Sequence, residues 1–576
     1  MLITQKHHAF NNGDDTKEFQ RAIKRETKRC KYLYGKKLEE KFHCNDSKAA
    51  WKVMSSITGH KQKRIKNVNV NKEFVNELND FYCRFDESDF KAEHLSLCAM
   101  LTDKCNITNT IIFSVDDVTK LFSNVKVNKA CGPDNLSNKV IRSCAAQLAP
   151  IFTEIFQCSI DSGEVPLAWK TSAISPVPKS NKITALNDYR PIALTSTAMK
   201  CFEKLILKLL LNENGVRLDP SQFAYQAKKG VDDAVLMFLH KVLSHLETPK
   251  SFVRATFVDF SSAFNSIQPH LLINKLLKMG VSSRLTLWIL NYLRDRPQFV
   301  RLNGLCSEVR TISTGAPQGC CLSPILFCLY TNDYSNKHDN CSIIKYADDT
   351  VITGYLFDDT VDTYKHEIND FVSWCKQNYL ILNTKKTKEV VFDFRKKKCE
   401  HAPSVINNEE VEQVHKYEYL GTLIDDKLTF SEQVDATRVK AHRRLFFLRK
   451  LKTFNVDNTI LKRFFQSVIQ SVLTFNIICF YGLLTNKSRS KLERIVKIAR
   501  RVCGKDIHLQ SVFDLYSAMV SQKTTRILKD KSHLLFPHYN FCPSGKRLRM
   551  PRSTHNRFRF SFVPNSISIF NKNVTR

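Results

Sequence analysis

Glycine is scarce in this chain, 16 residues in 576, where an average usage of ~7% would supply about 40. No repeat period or low-complexity tract stands out, so a solenoid or array is not expected. The 19 cysteines never form a C-x-x-C pair. That argues against a zinc ribbon or knuckle and against a secreted disulfide framework, and a reducing interior compartment fits better. His533, His538, Cys542 and His555 share one segment, but their spacing matches no zinc template. The opening stretch "MLITQKHHAFNNGDD" has no apolar core of signal-peptide type. One uncharged run, Phe464 to Asn486, is nearly long enough to cross a bilayer. Gln466, Gln470, Asn476 and Gly482 interrupt it and basic sequence flanks it, so a buried helix with no membrane partner is the expectation.

What the chain has in excess is positive charge. Lys plus Arg number 88 against 56 Asp plus Glu, a formal charge of +32 and a pI near 9.5. Nucleic acid, with its high density of negative charge, is the first partner to consider. Apolar content of 43% and charged content of 25% are ordinary for globular protein. A length of 576 residues implies several domains, because single cores stop growing near ~250–300 residues.

Residues 14–60 read as a long basic helix, and "NKEFVNELNDFYCRF" as a second helical region. Ser114 is placed to cap a helix with Asp116 and Asp117 in its first turn. From about 168, short β runs alternate with helices: "KTSAISPVPK", "FVRATFVDF", "VRLNGLCSEVRTI", "CSIIKYADD", "KEVVFDF". This mixture suggests an α+β domain built on an antiparallel sheet. Past about 430 the chain turns helical. From Lys523 to Arg576 it holds 12 Lys or Arg against one acidic residue, Asp530.

"SIIKYADDTVITGY" sets Asp348 beside Asp349 between two β-forming runs. Neighbouring side chains on a strand face opposite ways, so both can serve one site only if the chain turns there. Two carboxylates ~4 Å apart repel by ~4 kcal/mol at an effective dielectric of ~20, a cost that a divalent cation would reverse. "FVRATFVDF" reads as a half-buried strand ending in Asp259. If it lies beside the hairpin, three hard oxygen donors converge in a manner suited to Mg²⁺. Two such ions could polarise an attacking hydroxyl and steady a leaving pyrophosphate. "TGAPQGCCLSP" spends two of the few glycines, Gly315 and Gly319, around Pro317-Gln318, where the backbone can come close to a ligand.

Together these stretches resemble the reverse transcriptases of non-LTR (LINE-type, Jockey-like) retrotransposons, from about 110 to 500 and more faintly at both ends. "FVDFSSAF" is similar to the family's first metal-binding motif, "YADD" to the second, and "APQGCCLSP" to the motif lining the nucleotide and template pocket. "PVPKSNKITALNDYRPIALTSTAMKCFEKLI" resembles the fingers motifs and "DPSQFAYQAKKGVDDAV" the insertion after them. "LNTKKTKEVVF" resembles the Lys-bearing motif, "YEYLGTLID" the primer grip and "CGPDNLS" an amino-terminal motif.

The resemblance implies an RNA-directed DNA polymerase of right-hand architecture. It divides the chain into a basic helical N-terminal extension (1–110), opening helices of the fingers (111–158), fingers and palm with an antiparallel sheet (159–425), a helical thumb (426–505) and a basic C-terminal tail (506–576). Position by position, Asp259, Asp348 and Asp349 would hold two Mg²⁺, with Mn²⁺ possible. Lys179 and Arg190 would meet the triphosphate, as point charge and fork respectively. Phe264 would exclude a ribose 2′-hydroxyl, Gln318 and Gly319 would contact nucleotide and template, and Tyr419, Leu420 and Gly421 would grip the primer. Lys386 or Lys388 would donate a proton to the pyrophosphate. RNA template, DNA primer or target and dNTPs are the implied partners.

Asn265 departs from the Asp usual in the family just after the gate phenylalanine, which bears on fine positioning. Elements of this type commonly carry an endonuclease before the polymerase; here the chain opens into basic helical sequence, so a separate or upstream nuclease is expected. Two other readings share these motifs: an RNA-binding protein that keeps the fold without synthesis, and a group II intron maturase. Intact Asp259, Asp348, Asp349, Gln318 and Arg190 argue against the first, and the tail argues against the second. "RKKK" at 395–398 is a weak nuclear signal, and a ribonucleoprotein of nucleus and/or cytoplasm, intracellular and not secreted, is expected.

Overall fold

The β-branched and aromatic runs become strands. In the computed structural model these are β1 (Ser172–Pro178), β2 (Tyr189–Leu194), β3 (Phe252–Val258), β4 (Arg296–Leu302), β5 (Leu305–Cys306), β6 (Arg310–Ile312), β7 (Cys341–Tyr346), β8 (Asp349–Leu356) and β9 (Lys388–Phe392). Short strands follow: β10 (Val405–Ile406), β11 (Glu409–Glu410), β12 (Glu412–Gln413), β13 (Lys416–Tyr419) and β14 (Thr422–Asp425). The structure describes residues 2–43, 55, 70–86, 89–105, 111–180, 183–213, 215–396, 400–504 and 506–574. Lys397 and Lys398 of the "RKKK" run fall outside them.

Two compact units emerge. One comprises Ile65–Ala234 and Lys250–Val414; the other comprises Met1–Arg64, Val235–Pro249 and His415–Arg576. The first unit carries a mixed α+β fold with two five-stranded sheets. The order β12-β9-β3-β8-β7 is antiparallel except for the short parallel pair β12–β9. All seven residues of β3 are buried, as the central strand of a sheet covered on both faces requires. Helices Pro269–Lys278, Ser283–Leu293, Ser323–Tyr330 and Val361–Gln377 feed one continuous apolar core with it. Trp288 stacks on Tyr292 at 5.5 Å, and Phe156 on Phe202 at 4.4 Å.

In the second sheet β1 pairs antiparallel with β2 and parallel with β4, and β5 and β6 both join β4. Helix Lys72–Cys83 lies against it. Asn71 caps that helix by accepting from the Phe74 amide at 2.8 Å. Val75, Leu78 and Tyr82 recur at helical spacing and pack with Ile174, Tyr189 and Val300. Helix Lys91–Cys105 packs on Ser283–Leu293. The apolar stripe of residues 72–83 thus binds this stretch to the sheets, although the sequence suggested one basic extension reaching to 110.

The other unit is mainly helical. Ser431–Thr453 packs on Asn486–Cys503, and Val512–Lys529 on Phe562–Val574. The segment Asn458–Leu483, which takes in most of the uncharged run, is long and apolar enough to cross a membrane by length and composition. It is also broken: Asn458–Phe464 passes through a π-helical stretch, Phe465–Gln470, to Ser471–Thr474, and Asn476 at φ +50° turns the chain before Ile477–Phe480. Phe464, Phe465, Ile469, Leu473 and Ile477 are all buried there.

Candidate active site

β7 and β8 form a hairpin whose last pair is Tyr346 opposite Asp349. Ala347 and Asp348 are the turn itself, with Ala347 at φ +57°. The turn is what lets adjacent carboxylates share one edge. On its other side β8 pairs with β3, and Val258 lies opposite Thr350. One step further in this register sets Asp259 across from Asp349. Asp259 is held from behind as well: its amide donates to Thr387 Oγ1 at 3.1 Å, and its carbonyl accepts from the Asn383 amide at 2.9 Å. All three acids therefore stand at one end of the central sheet.

Among the described residues no side chain donates to or pairs with these carboxylates, and only Asp348 gains a hydrogen bond, from its own backbone. The tips of Asp348 and Asp349 reach solvent, yet the surrounding walls strip away enough water to raise all three. Burial pushes Asp349 up to about 6, and the charges of Asp348 and Asp259 add to it. Asp259 is raised first by burial, while Lys386 and Lys179 pull it down and Asp348 pushes it up. Among the described residues no three His, Cys, Asp or Glu side chains already form a cluster that could hold a metal ion. The acids are brought to one end of the sheet by backbone register, close enough for their charges to raise one another. Unpartnered hard oxygen donors that repel one another are the donor chemistry that suits a divalent cation.

Cations gather on the side of Asp259. Burial lowers Lys179, and Lys386, Arg190 and Arg84 push it further down. Val177 pairs with Arg190 across β1 and β2, which puts Arg190 two residues from Lys179 in register. The Lys179 ammonium is tethered to Asn187, by its carbonyl and by Oδ1 at 3.2 Å. Lys388 is occupied, donating to Glu412 at 2.6 Å and to the Lys385 carbonyl at 2.7 Å. Lys386 Nζ has no such partner among the described residues.

The glycine loop is fixed by close backbone approaches. A Cβ on Gly315, at φ +77°, would fall 2.7 Å from the Asn265 Cα. The Ala316 amide donates to the Phe264 carbonyl at 2.8 Å, so this loop and the Phe264 turn are built as one piece. The Phe264 ring is half-buried against Phe327 at 5.3 Å. The Gln318 carbonyl accepts from the Ala193 amide at 2.6 Å, which ties Gln318 and Gly319 to β2. Behind the loop lies a small cavity of about 30 Å³, lined in part by Asn265, Tyr82 and Arg296.

The hairpin β13–β14 belongs to the other unit. Leu420 and Gly421 form its tip, both at positive φ (+47° and +75°). Asn476 Nδ2 donates to the Leu420 carbonyl at 3.3 Å and to Thr422 Oγ1 at 2.9 Å. The Tyr419 ring is buried beside Phe238, at 5.7 Å, so within this unit the tip rather than that ring is presented.

Sequence reasoning missed the supports. Gln222 Oε1 accepts from the Ala347 amide at 3.0 Å and thereby braces the Asp348 turn. Lys345 is buried and donates to Asp219 Oδ2 (2.7 Å), the Thr331 carbonyl (2.8 Å) and the Tyr334 carbonyl (2.6 Å). Arg84, at the end of helix Lys72–Cys83, lies over Phe81 at 3.7 Å and donates to Ser262 Oγ at 3.3 Å. "DPSQFAYQ" carries both Asp219 and Gln222, so its polar residues were the available signal. Nothing in the local spelling marks Arg84.

Residues 177–424 match the family model described as reverse transcriptase (RNA-dependent DNA polymerase). The chain is 26% identical over 409 residues to the RNA-directed DNA polymerase from mobile element jockey of Drosophila melanogaster, covering 68% of this chain and 44% of that protein. It is 25% identical to the jockey polymerase of Drosophila funebris, over 77% of this chain and 50% of that one. With a probable RNA-directed DNA polymerase from transposon X-element of Drosophila melanogaster it shares 24% over the same fractions. The chain spans about half the length of the curated relatives it matches.

Proposed function

We propose, for a chain that carries a LINE-type, Jockey-like reverse transcriptase domain, that the protein is an RNA-directed DNA polymerase extending a DNA primer along an RNA template with dNTPs. The observation that carries this reading is the register that sets Asp259 across from the Asp348–Asp349 turn, with Lys179 and Lys386 beside it. In right-hand terms, β3, β7, β8 and β9 would be the palm, β1 and β2 the fingers, and the helices after Ser431 the thumb. The division at 1–110, 111–158, 159–425, 426–505 and 506–576 is kept for those parts, with residues 70–105 also supporting the sheets.

Asp259, Asp348 and Asp349 would hold two Mg²⁺ or Mn²⁺ ions, which when bound would supply charge neutralisation for in-line displacement at the α-phosphate. Lys179 and Arg190 would orient the triphosphate. Phe264, braced by Phe327, would close the space beside the sugar C2′ and so select deoxyribose. Gln318 and Gly319, tied to β2, would present backbone to the nucleotide and template. Lys386 would give its proton to the departing pyrophosphate. The tip of the β13–β14 hairpin, with Tyr419, Leu420 and Gly421, would seat the primer end. A nuclease, separate or upstream, would supply the nicked DNA target, and the excess basic charge suits a ribonucleoprotein in nucleus or cytoplasm.

Primer extension on an RNA template is the test. Asp348→Ala is expected to abolish dNTP addition while RNA binding persists; equal extension by the variant would overturn the proposal.

A further inference from the structure

The mainly helical unit contains a second basic site that the polymerase chemistry does not use. Its floor comes from helix Val231–His245 and the segment just after it, and its rim from the C-terminal segment. The loop 540–549 is folded back on itself, the Arg549 amide donating to the Asn540 carbonyl at 2.7 Å. Leu548 and Asn571 exchange hydrogen bonds at 2.8 and 2.9 Å, which pins that loop to helix Phe562–Val574. The result is a half-open pocket of about 410 Å³, within the range of ligand sites.

Its lining joins three kinds of group. Arg549 and Arg552 stand exposed at the rim, and neither guanidinium has a carboxylate partner among the described residues. Met550, Pro551 and Phe558 give apolar walls. His240 and His538 meet ring to ring at 4.1 Å. His240 is only 7% exposed, and its Nδ1 is buried with no hydrogen-bond partner. A buried polar nitrogen left without a partner is costly and marks where a ligand atom would be satisfied. The one carboxylate in the lining, Glu247, is already engaged: it accepts from the Thr554 amide and hydroxyl and from the His555 amide, and pairs with the His555 ring at 3.3 Å.

We infer that this pocket receives one nucleotide of a single-stranded RNA, its phosphate held by Arg549 and Arg552 and its base against the paired imidazoles. Guanidinium forks suit phosphate oxygens, and flat rings beside apolar walls suit an unstacked base. The inference takes only the identity of the strand from the polymerase reading. It would give the basic tail a defined grip on RNA, in a unit separate from the one that holds Asp259.

The test uses the full chain and a fluorescein-labelled 15-mer of uridine, read by anisotropy across a salt series. It is run in parallel in the Asp348→Ala background, so that failure of synthesis and failure of this site are told apart. R549Q/R552Q is expected to weaken binding about 10-fold and to reduce the log–log salt slope by about 0.7, the value for one lost single-strand phosphate contact. R549K/R552K should keep most of the slope, and 4-thiouridine RNA should crosslink to residues 536–552. The inference falls if R549Q/R552Q binds RNA with unchanged affinity and slope. It falls equally if no crosslink lies within that segment, or if a polyglutamate peptide of matched charge displaces the RNA as well as unlabelled RNA does. Should R549Q/R552Q melt below the wild type, H538A decides: about 10-fold weaker binding supports the site, and unchanged binding overturns it.

Discussion

The central sheet treats its carboxylates in two opposite ways. On β9, Glu389 is completely buried and completely answered. Arg254 donates to both its oxygens, at 3.2 and 2.8 Å, Ser404 at 2.6 Å and Gln413 at 2.8 Å. Arg254 itself also reaches the Ala402 carbonyl at 2.7 Å. At the end of the same sheet, Asp259, Asp348 and Asp349 receive no such donors and are all raised. With Thr256 Oγ1 also donating at 3.4 Å, a fold able to satisfy one carboxylate five times over leaves three others without a side-chain donor within a few residues of it. The contrast separates a carboxylate that holds strands together from carboxylates kept open for a ligand.

Five substitutions would break or sharpen that contrast. The largest effect is expected at the open end: Asp259→Ala should lower primer extension by about 10³-fold, with a melting temperature no lower than wild type. At the satisfied end the reverse should hold. Arg254→Met should cost about 3–5 kcal/mol of stability by stranding Glu389, read from urea unfolding, and the double variant R254M/E389L should recover much of that loss. Lys386→Ala should slow single-turnover extension by about 10²-fold. Lys388→Ala, which removes a lysine already paired with Glu412, should change it far less. The smallest effect is a gain: Asp349→Asn relieves like-charge crowding and should raise metal-free stability by up to about 1 kcal/mol after solvent screening. The same variant should lose the thermal shift that wild type shows on adding Mg²⁺. A metal-free protein destabilised by this change would contradict the contrast at its root.

Much of this was legible in the spelling. The β runs and the turn between Tyr346 and Asp349 follow from propensity and from the geometry of adjacent side chains. The reverse transcriptase resemblance brought Asp259 to the same end. The long-range supports were not legible. Gln222 braces Ala347 across 125 residues of chain, and Arg84 reaches Ser262 across 178, contacts that no local period encodes. The affiliation of residues 72–83 was also hidden, because a basic composition around them masked a three-residue apolar stripe. Gly315 was noticed as a glycine able to approach a ligand; its nearest constraint is the Asn265 backbone.

Helix Lys72–Cys83 has a practical consequence for anyone trimming the chain. A fragment started at residue 111 would strip the cover from Ile174, Tyr189 and Val300, and one started where the recognisable domain begins, at residue 177, would lose most of β1 as well. Either would leave a greasy sheet face in water and remove Arg84 from beside Lys179. Such a fragment should aggregate or lose nucleotide affinity, and its silence in an assay would then report on where the knife fell.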